Sequence, residues 1–148
     1  MAPTCGTALP RHGNENHFLA TFHGSPYGLS VSFIRTYTLV EVPLSWSNAQ
    51  RFCRTEYTDL ATAENKEEMQ ELVDAGRRWY GGHLWIGLYD DIHSWRWSVD
   101  EEDRSPVSFT NWRNGKPGGL PCVLTHKGQW EDRRCDIKLF FVCQTGEC

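Results

Sequence analysis

No apolar run in these 148 residues approaches the roughly 20 that a helix needs to cross a bilayer. Basic excess is missing too: 15 Lys and Arg stand against 19 Asp and Glu, for a formal net charge of -4. The basic residues are scattered along the chain, which sets aside nucleic acid and membrane insertion as modes of action. There is no Asn-x-Ser/Thr sequon and no His-Glu-x-x-His pair, and none of the six Cys falls in a C-x-x-C element. Without paired zinc ligands, six Cys favour disulfides and an oxidising, extracellular setting. Export predicts a signal sequence, yet residues 1 to 36 hold no charged start, sustained apolar run and cleavage site. The sequence therefore reads as a fragment, or as one with a misassigned first segment.

What is present is an aromatic load of seven Trp, five Tyr and seven Phe, much apolar area for one small, loop-rich domain. Residues 1–36 lack periodicity and read as a poorly ordered leader, 37–144 as the domain and 145–148 as a short tail. Tyr37, Leu39, Val40 and Val42 predict a strand ended by Pro43. Ser45 then caps a helix with Trp46, Ala49, Phe52 and Cys53 on one face. A second helix is capped by Asn65, carries Glu67 and Glu68 in its first turn, has Met69, Leu72 and Val73 as its apolar stripe, and ends at Gly76. Leu84 to Tyr89 predicts a central strand, and alternation from Ser94 to Ser98 sends Trp95 and Trp97 to one face. Asp100 to Pro121 reads as a long functional loop in which Phe109 and Trp112 must be anchored. Short strands are expected around Cys122 to Thr125, Gln129 to Trp130 and Leu139 to Cys143.

Taken together, several ordered motifs resemble the C-type lectin-like domain in its short form, as in single domains of vertebrate lectin receptors. They are Trp46 to Cys53, Thr58 to Thr62, Trp85-Ile86-Gly87-Leu88, Phe109-Thr110-Asn111-Trp112, Gly128-Gln129-Trp130 and Phe141-Val142-Cys143, with Cys122 and Cys135 between. The resemblance covers roughly residues 37 to 144 and implies an α+β fold: two helices packed on short antiparallel β-sheets, with a long loop. It implies the pairs Cys53 with Cys143 and Cys122 with Cys135. Cys5 and Cys148 lie outside it and are open to pairing with each other, with a second chain to form an oligomer, or with a Cys beyond this sequence.

The family keeps calcium and sugar on the long loop, through Glu-Pro-Asn or Gln-Pro-Asp, a Glu before the loop Cys, and Trp-Asn-Asp on the next strand. Calcium requires six to eight oxygens. Here the triplet is Lys116-Pro117-Gly118, Leu120-Pro121 precede Cys122, and the strand reads Trp130-Glu131-Asp132. Three expected ligands are replaced, and Lys116 sets an ammonium where an oxygen belongs. Calcium is disfavoured and no other cofactor is implied; Glu131 and Asp132 are residual metal candidates, read first as solvated carboxylates or partners of Lys116, Arg133 or Arg134. Asp90 and Asp91 read as turn formers, and Asp100-Glu101-Glu102-Asp103 as a solvated turn. His83, His93 and His126 lack any nucleophile motif, so no enzyme is expected. Trp112 and Trp130 are read as core before ligand floor. The expected function is an extracellular recognition module contacting carbohydrate or glycoprotein through Trp112, Lys116, Pro117, Gln129, Glu131 and Asp132. The alternative is a calcium-independent domain that binds a protein surface or serves as a scaffold. Pro117 stands where the family often has a cis peptide, which the loop is expected to retain.

Overall fold

The computed structural model describes residues 34–79, 81–92, 94–102 and 106–147. Of the expected leader 1–36, residues 1–33, Cys5 among them, fall outside the described residues, as does Cys148; residues 34–36 belong instead to a strand, as do residues 145–147 of the expected tail. Strand β1 (Ile34–Leu44) runs antiparallel to β7 (Leu139–Glu147), so the two ends of the described chain share one ribbon. Across the sheet the order is β1, β7, β3 (His83–Asp90), β5 (Cys122–His126), β6 (Gln129–Arg133). Two short strands attach to this path: β2 (Asp59–Leu60) on β7, and β4 (Trp95–Trp97) on β3. The resemblance implied antiparallel pairing, but β3 lies parallel to β7 through Leu84 and Trp85. A parallel pair needs a long crossover, and the 48 or so residues between these strands supply one.

β1 does not stop at Pro43. It continues to Leu44, with its register to β7 shifting between Val40 and Leu44. Proline has no N–H to donate, and an edge strand with an irregular ladder is where that loss is tolerated. Helix α1 (Trp46–Glu56) buries Trp46, Ala49 and Cys53 as the periodicity predicts. Its cap differs from expectation: Ser45 holds the N-cap position without a side-chain hydrogen bond. The first-turn amide of Trp46 instead donates to the distant Cys135 carbonyl at 3.0 Å. That bond satisfies one of the donors every helix start leaves open.

Helix α2 (Lys66–Ala75) starts as predicted, Asn65 accepting the Glu68 amide at 2.8 Å. Gly76 ends it with φ -90, so no left-handed cap is involved. The glycine is needed for space: a Cβ there would sit 2.8 Å from Leu84 Cδ1. The sheet separates two buried groups. Met69, Leu72, Leu84, Ile86, Val123 and Trp130 belong to one; Ala49, Leu60, Trp85, Leu124 and Phe141 to the other.

Both implied disulfides are present. Cys53–Cys143 joins α1 to β7 across 90 residues, and Cys122–Cys135 closes 13 around the β5–β6 hairpin. Because a cross-link restricts the unfolded chain more when its loop is longer, the two should differ in worth. Cys53→Ala with Cys143→Ala is expected to lower the unfolding free energy by about 3 to 5 kcal/mol, and the Cys122/Cys135 double variant by about 2 to 3. Urea titrations followed by circular dichroism would check the order, and the reverse order would contradict it.

Candidate functional site

The long loop is fastened to the outer edge of β6. Trp112 bridges Trp130 in parallel, Trp130 N–H donates to the Asn111 carbonyl at 2.9 Å, and Arg113 N–H donates to the Trp130 carbonyl at 2.9 Å. Aromatic packing reinforces these bonds. Fully buried Trp130 meets Trp97 at 5.5 Å, Trp112 at 5.6 Å and Phe109 at 5.8 Å, all near edge-to-face. That is the favoured arrangement for aromatic pairs. Its indole N–H reaches Met69 Sδ at 3.3 Å. Half-buried Trp112 also packs on Trp95 at 4.9 Å. Phe109 and Trp112 thus have the anchors the sequence required, and Trp130 belongs to the core rather than to a ligand floor.

After this anchor the chain turns. Lys116 N–H donates to the Arg113 carbonyl at 2.9 Å, Gly115 adopts φ 88 and Gly119 φ 98, and the Lys116–Pro117 peptide is cis. The turn brings its backbone onto Asp132, whose carboxylate accepts Gly118 N–H at 2.9 and 2.8 Å and Leu120 N–H at 2.7 Å. Strand alternation sends the neighbouring Glu131 to the other face. There it pairs with Arg113 at 2.8 Å and Arg133 at 2.8 Å.

Neither carboxylate is solvated: both residues are 0% exposed. Of the partners foreseen, Arg133 pairs with Glu131, while Arg134 pairs with Asp136 at 2.7 Å. Burial pushes the Glu131 carboxyl up, but the Arg113 hydrogen bond and the Arg133 charge outweigh it and hold the group below the usual range. For Asp132, burial likewise acts upward and is overcome by the Leu120 and Gly118 amides together with the Lys116 charge.

These partners bear directly on calcium. Asp132 directs its oxygens at peptide N–H groups, Glu131 directs its oxygens at two guanidinium groups, and Lys116 adds positive charge beside them. Among the described residues no group of three or more His, Cys, Asp or Glu is placed to hold a metal. The donor set does not fit a cation that requires six to eight oxygens.

The remaining candidates are dispersed. Gln129 opens β6 opposite His126, three residues from Asp132 and so roughly 10 Å along the strand, outside the Lys116 loop cluster. Asp91 serves the β3–β4 turn, paired with Arg96 at 2.9 Å. Glu101 and Glu102 are exposed as expected of a solvated turn, with Glu101 3.4 Å from Arg54, while Asp103 falls outside the described residues, as does His93. His83 and His126 face each other across β3 and β5, with ring centres 4.3 Å apart. Arg113 is the residue that sequence reasoning missed. Its signal is positional: two residues on from Asn111, on a segment paired with β6, it falls on the face of Glu131.

With this geometry in hand, known proteins supply a frame. The family model for the lectin C-type domain matches residues 42–145. Mouse L-selectin is 30% identical over 123 residues, covering 76% of this chain and 32% of that protein, so this chain spans about a third of its length. Among solved structures, the carbohydrate-recognition domain of the mouse scavenger receptor C-type lectin superimposes with a TM-score of 0.67 at 26% identity, over 77% of this chain and 92% of that one. The carbohydrate-recognition domain of cow CD23, solved in the presence of a GlcNAc2Man3 oligosaccharide, gives 0.65 at 26% identity, over 77% and 89%.

The Asp132 contacts carry a stability consequence. Because both folded carboxyls titrate below their ordinary values, the unfolded chain takes up protons first. Their contribution is full above about pH 4.5 and is lost as pH falls through the lower folded values. Asp132→Asn should lower stability at neutral pH by about 1 to 3 kcal/mol and flatten part of that acid slope. Urea unfolding measured across pH would show both effects, with faster hydrogen exchange at the Gly118 and Leu120 amides.

Proposed function

The chain belongs to the C-type lectin domain family, and from that premise we propose that it is an extracellular recognition module that takes carbohydrate at its long loop without a calcium bridge. Carbohydrate recognition is the general activity of this family, and the cow CD23 domain was solved in the presence of an oligosaccharide. The observation that carries the calcium-free reading is the occupation of Asp132 by the loop's own Gly118 and Leu120 amides. A carboxylate that elsewhere would face a cation here fixes the turn directly.

In this reading Glu131 and Asp132 are positioning residues, since their buried oxygens are taken by the protein. Ligand contact falls to the exposed guanidinium of Arg113, to Lys116 and to the exposed turn around Pro117. Ammonium and guanidinium groups offer several donors to sugar hydroxyls. They favour sugars bearing negative charge over neutral ones. Trp112 acts from beneath, by anchoring the segment that carries Arg113.

Two measurements test the proposal. The melting temperature should not move on adding calcium to about 5 mM, well above the weakest extracellular calcium affinities. A glycan array probed with and without EDTA should give the same binding pattern, weakened by Lys116→Ala. A calcium-dependent melting shift with EDTA-sensitive binding would overturn the calcium-free reading. A folded protein that binds no glycan in either condition would overturn the carbohydrate reading and favour the protein-surface alternative.

A further inference from the structure

Far from the long-loop turn, at the opposite end of β6, the β5–β6 hairpin closes through Lys127 and Gly128. Between this hairpin, helix α2 and the segment at Phe109 and Asn111 lies a groove of about 610 Å³. That volume falls within the range of natural ligand sites. Two rows of α2 side chains at four-residue spacing line it: Lys66, Gln70 and Asp74, then Met69, Val73 and, just past the helix, Arg77. Its floor is apolar, from Met69, Val73 and Phe109, and its charge is positive. Lys66, Arg77 and Lys127 stand against the single carboxylate Asp74, which already accepts from Arg77 at 2.9 Å and from Gln70 at 3.1 Å. Among the described residues neither Lys66 nor Lys127 has an ion-pair partner. In a chain of net charge -4 this is a local reversal of sign.

Both unpaired lysines stand where local folding favours another residue. Lys66 is the first residue of α2, at the positive end of the helix dipole, where Asp or Glu is preferred. Lys127 adopts φ 51 in a two-residue hairpin turn, a position that favours Asn, Asp or Gly. Departures from local preference that converge on one cavity mark a functional surface.

We propose that this groove is an interaction surface for an acidic peptide segment of a partner protein, with an apolar side chain between its carboxylates. The apolar floor accounts for that central side chain and sets a peptide ahead of a sulfated polysaccharide, whose hydroxyl-rich faces have no match there. Lys66 and Arg77 lie roughly 16 Å apart along the helix, which about five residues of extended peptide would span. The site is independent of the long-loop reading, and either can stand without the other.

The probe is the capped peptide Ac-Asp-Glu-Phe-Asp-Glu-NH2, titrated into the full chain labelled with 15N and followed by amide shifts. Its neutral counterpart with Asn and Gln and a heparin-derived disaccharide serve as comparisons. Saturable shifts at Lys66, Val73, Arg77, Lys127 and Gly128, absent with the neutral peptide, are expected. The pair Lys66→Glu and Lys127→Asn should weaken binding about tenfold, the second change suiting the turn, while Arg51→Ala, exposed on α1 across the sheet from α2, leaves it unchanged. Lys66→Gln alone gives the same direction of effect should the pair fail to fold. The proposal is overturned if the acidic peptide shifts none of these amides, if the neutral peptide binds equally, or if only the disaccharide shifts them.

Discussion

Strand β7 is hydrogen-bonded along both edges, and that saturation orders the rest of the molecule. One edge takes β1; the other takes β3 at Phe140 and Phe141, then β2 at Cys143 and Gln144. Its side chains alternate accordingly, with Phe141 and Cys143 in the core group beneath α1, and Val142 in the group with Met69 and Leu72 from α2. The disulfide to Cys53 attaches α1 to this strand covalently. Gln144 extends its reach, accepting the Thr62 amide at 2.7 Å, while Tyr37 from β1 donates to the Thr62 carbonyl at 2.6 Å. β3, β5 and β6 are then added outward, and the candidate site is built on the last of them.

At that outer strand the central theme is substitution of one source of positive charge by another. Carboxylates on a strand end need a positive counterpart, which a bound cation can provide from outside the chain. Here peptide amides, two arginines and Lys116 provide it from within. Fold and content are separable in this way because a site is a set of groups placed on a scaffold.

Legibility in the sequence followed the range of the interactions. The start of helix α2 was readable because Asn65 and the early glutamates act within a few positions of each other; Gly76 marked its end, though the approach of Leu84 rather than a left-handed cap requires it there. Helix α1 begins after Ser45 as expected, but what fastens its start was not legible, since the amide partner of Trp46, the Cys135 carbonyl, lies almost 90 residues away. Likewise the parallel pairing of β3 with β7 depends on where the crossover lands. At the site, the replacement of the expected ligands was plain from Lys116, Gly118 and Leu120. The burial of Glu131 and Asp132 was hidden, because adjacent acids resemble a solvated turn until the strand sends each to its own partners. Arg113 became visible only once Trp112 was paired with Trp130.

Trp130 has a consequence of another kind. Its ring touches Trp97, Phe109 and Trp112, and Trp112 in turn touches Trp95, so indoles from β4, β6 and the long loop form one contiguous set. Indoles held at fixed angles in so asymmetric a surrounding give a circular dichroism signal in the near ultraviolet that freely rotating tryptophans lack. The docking of the long loop is therefore written into the protein's own absorption, and its detachment can be watched without a label.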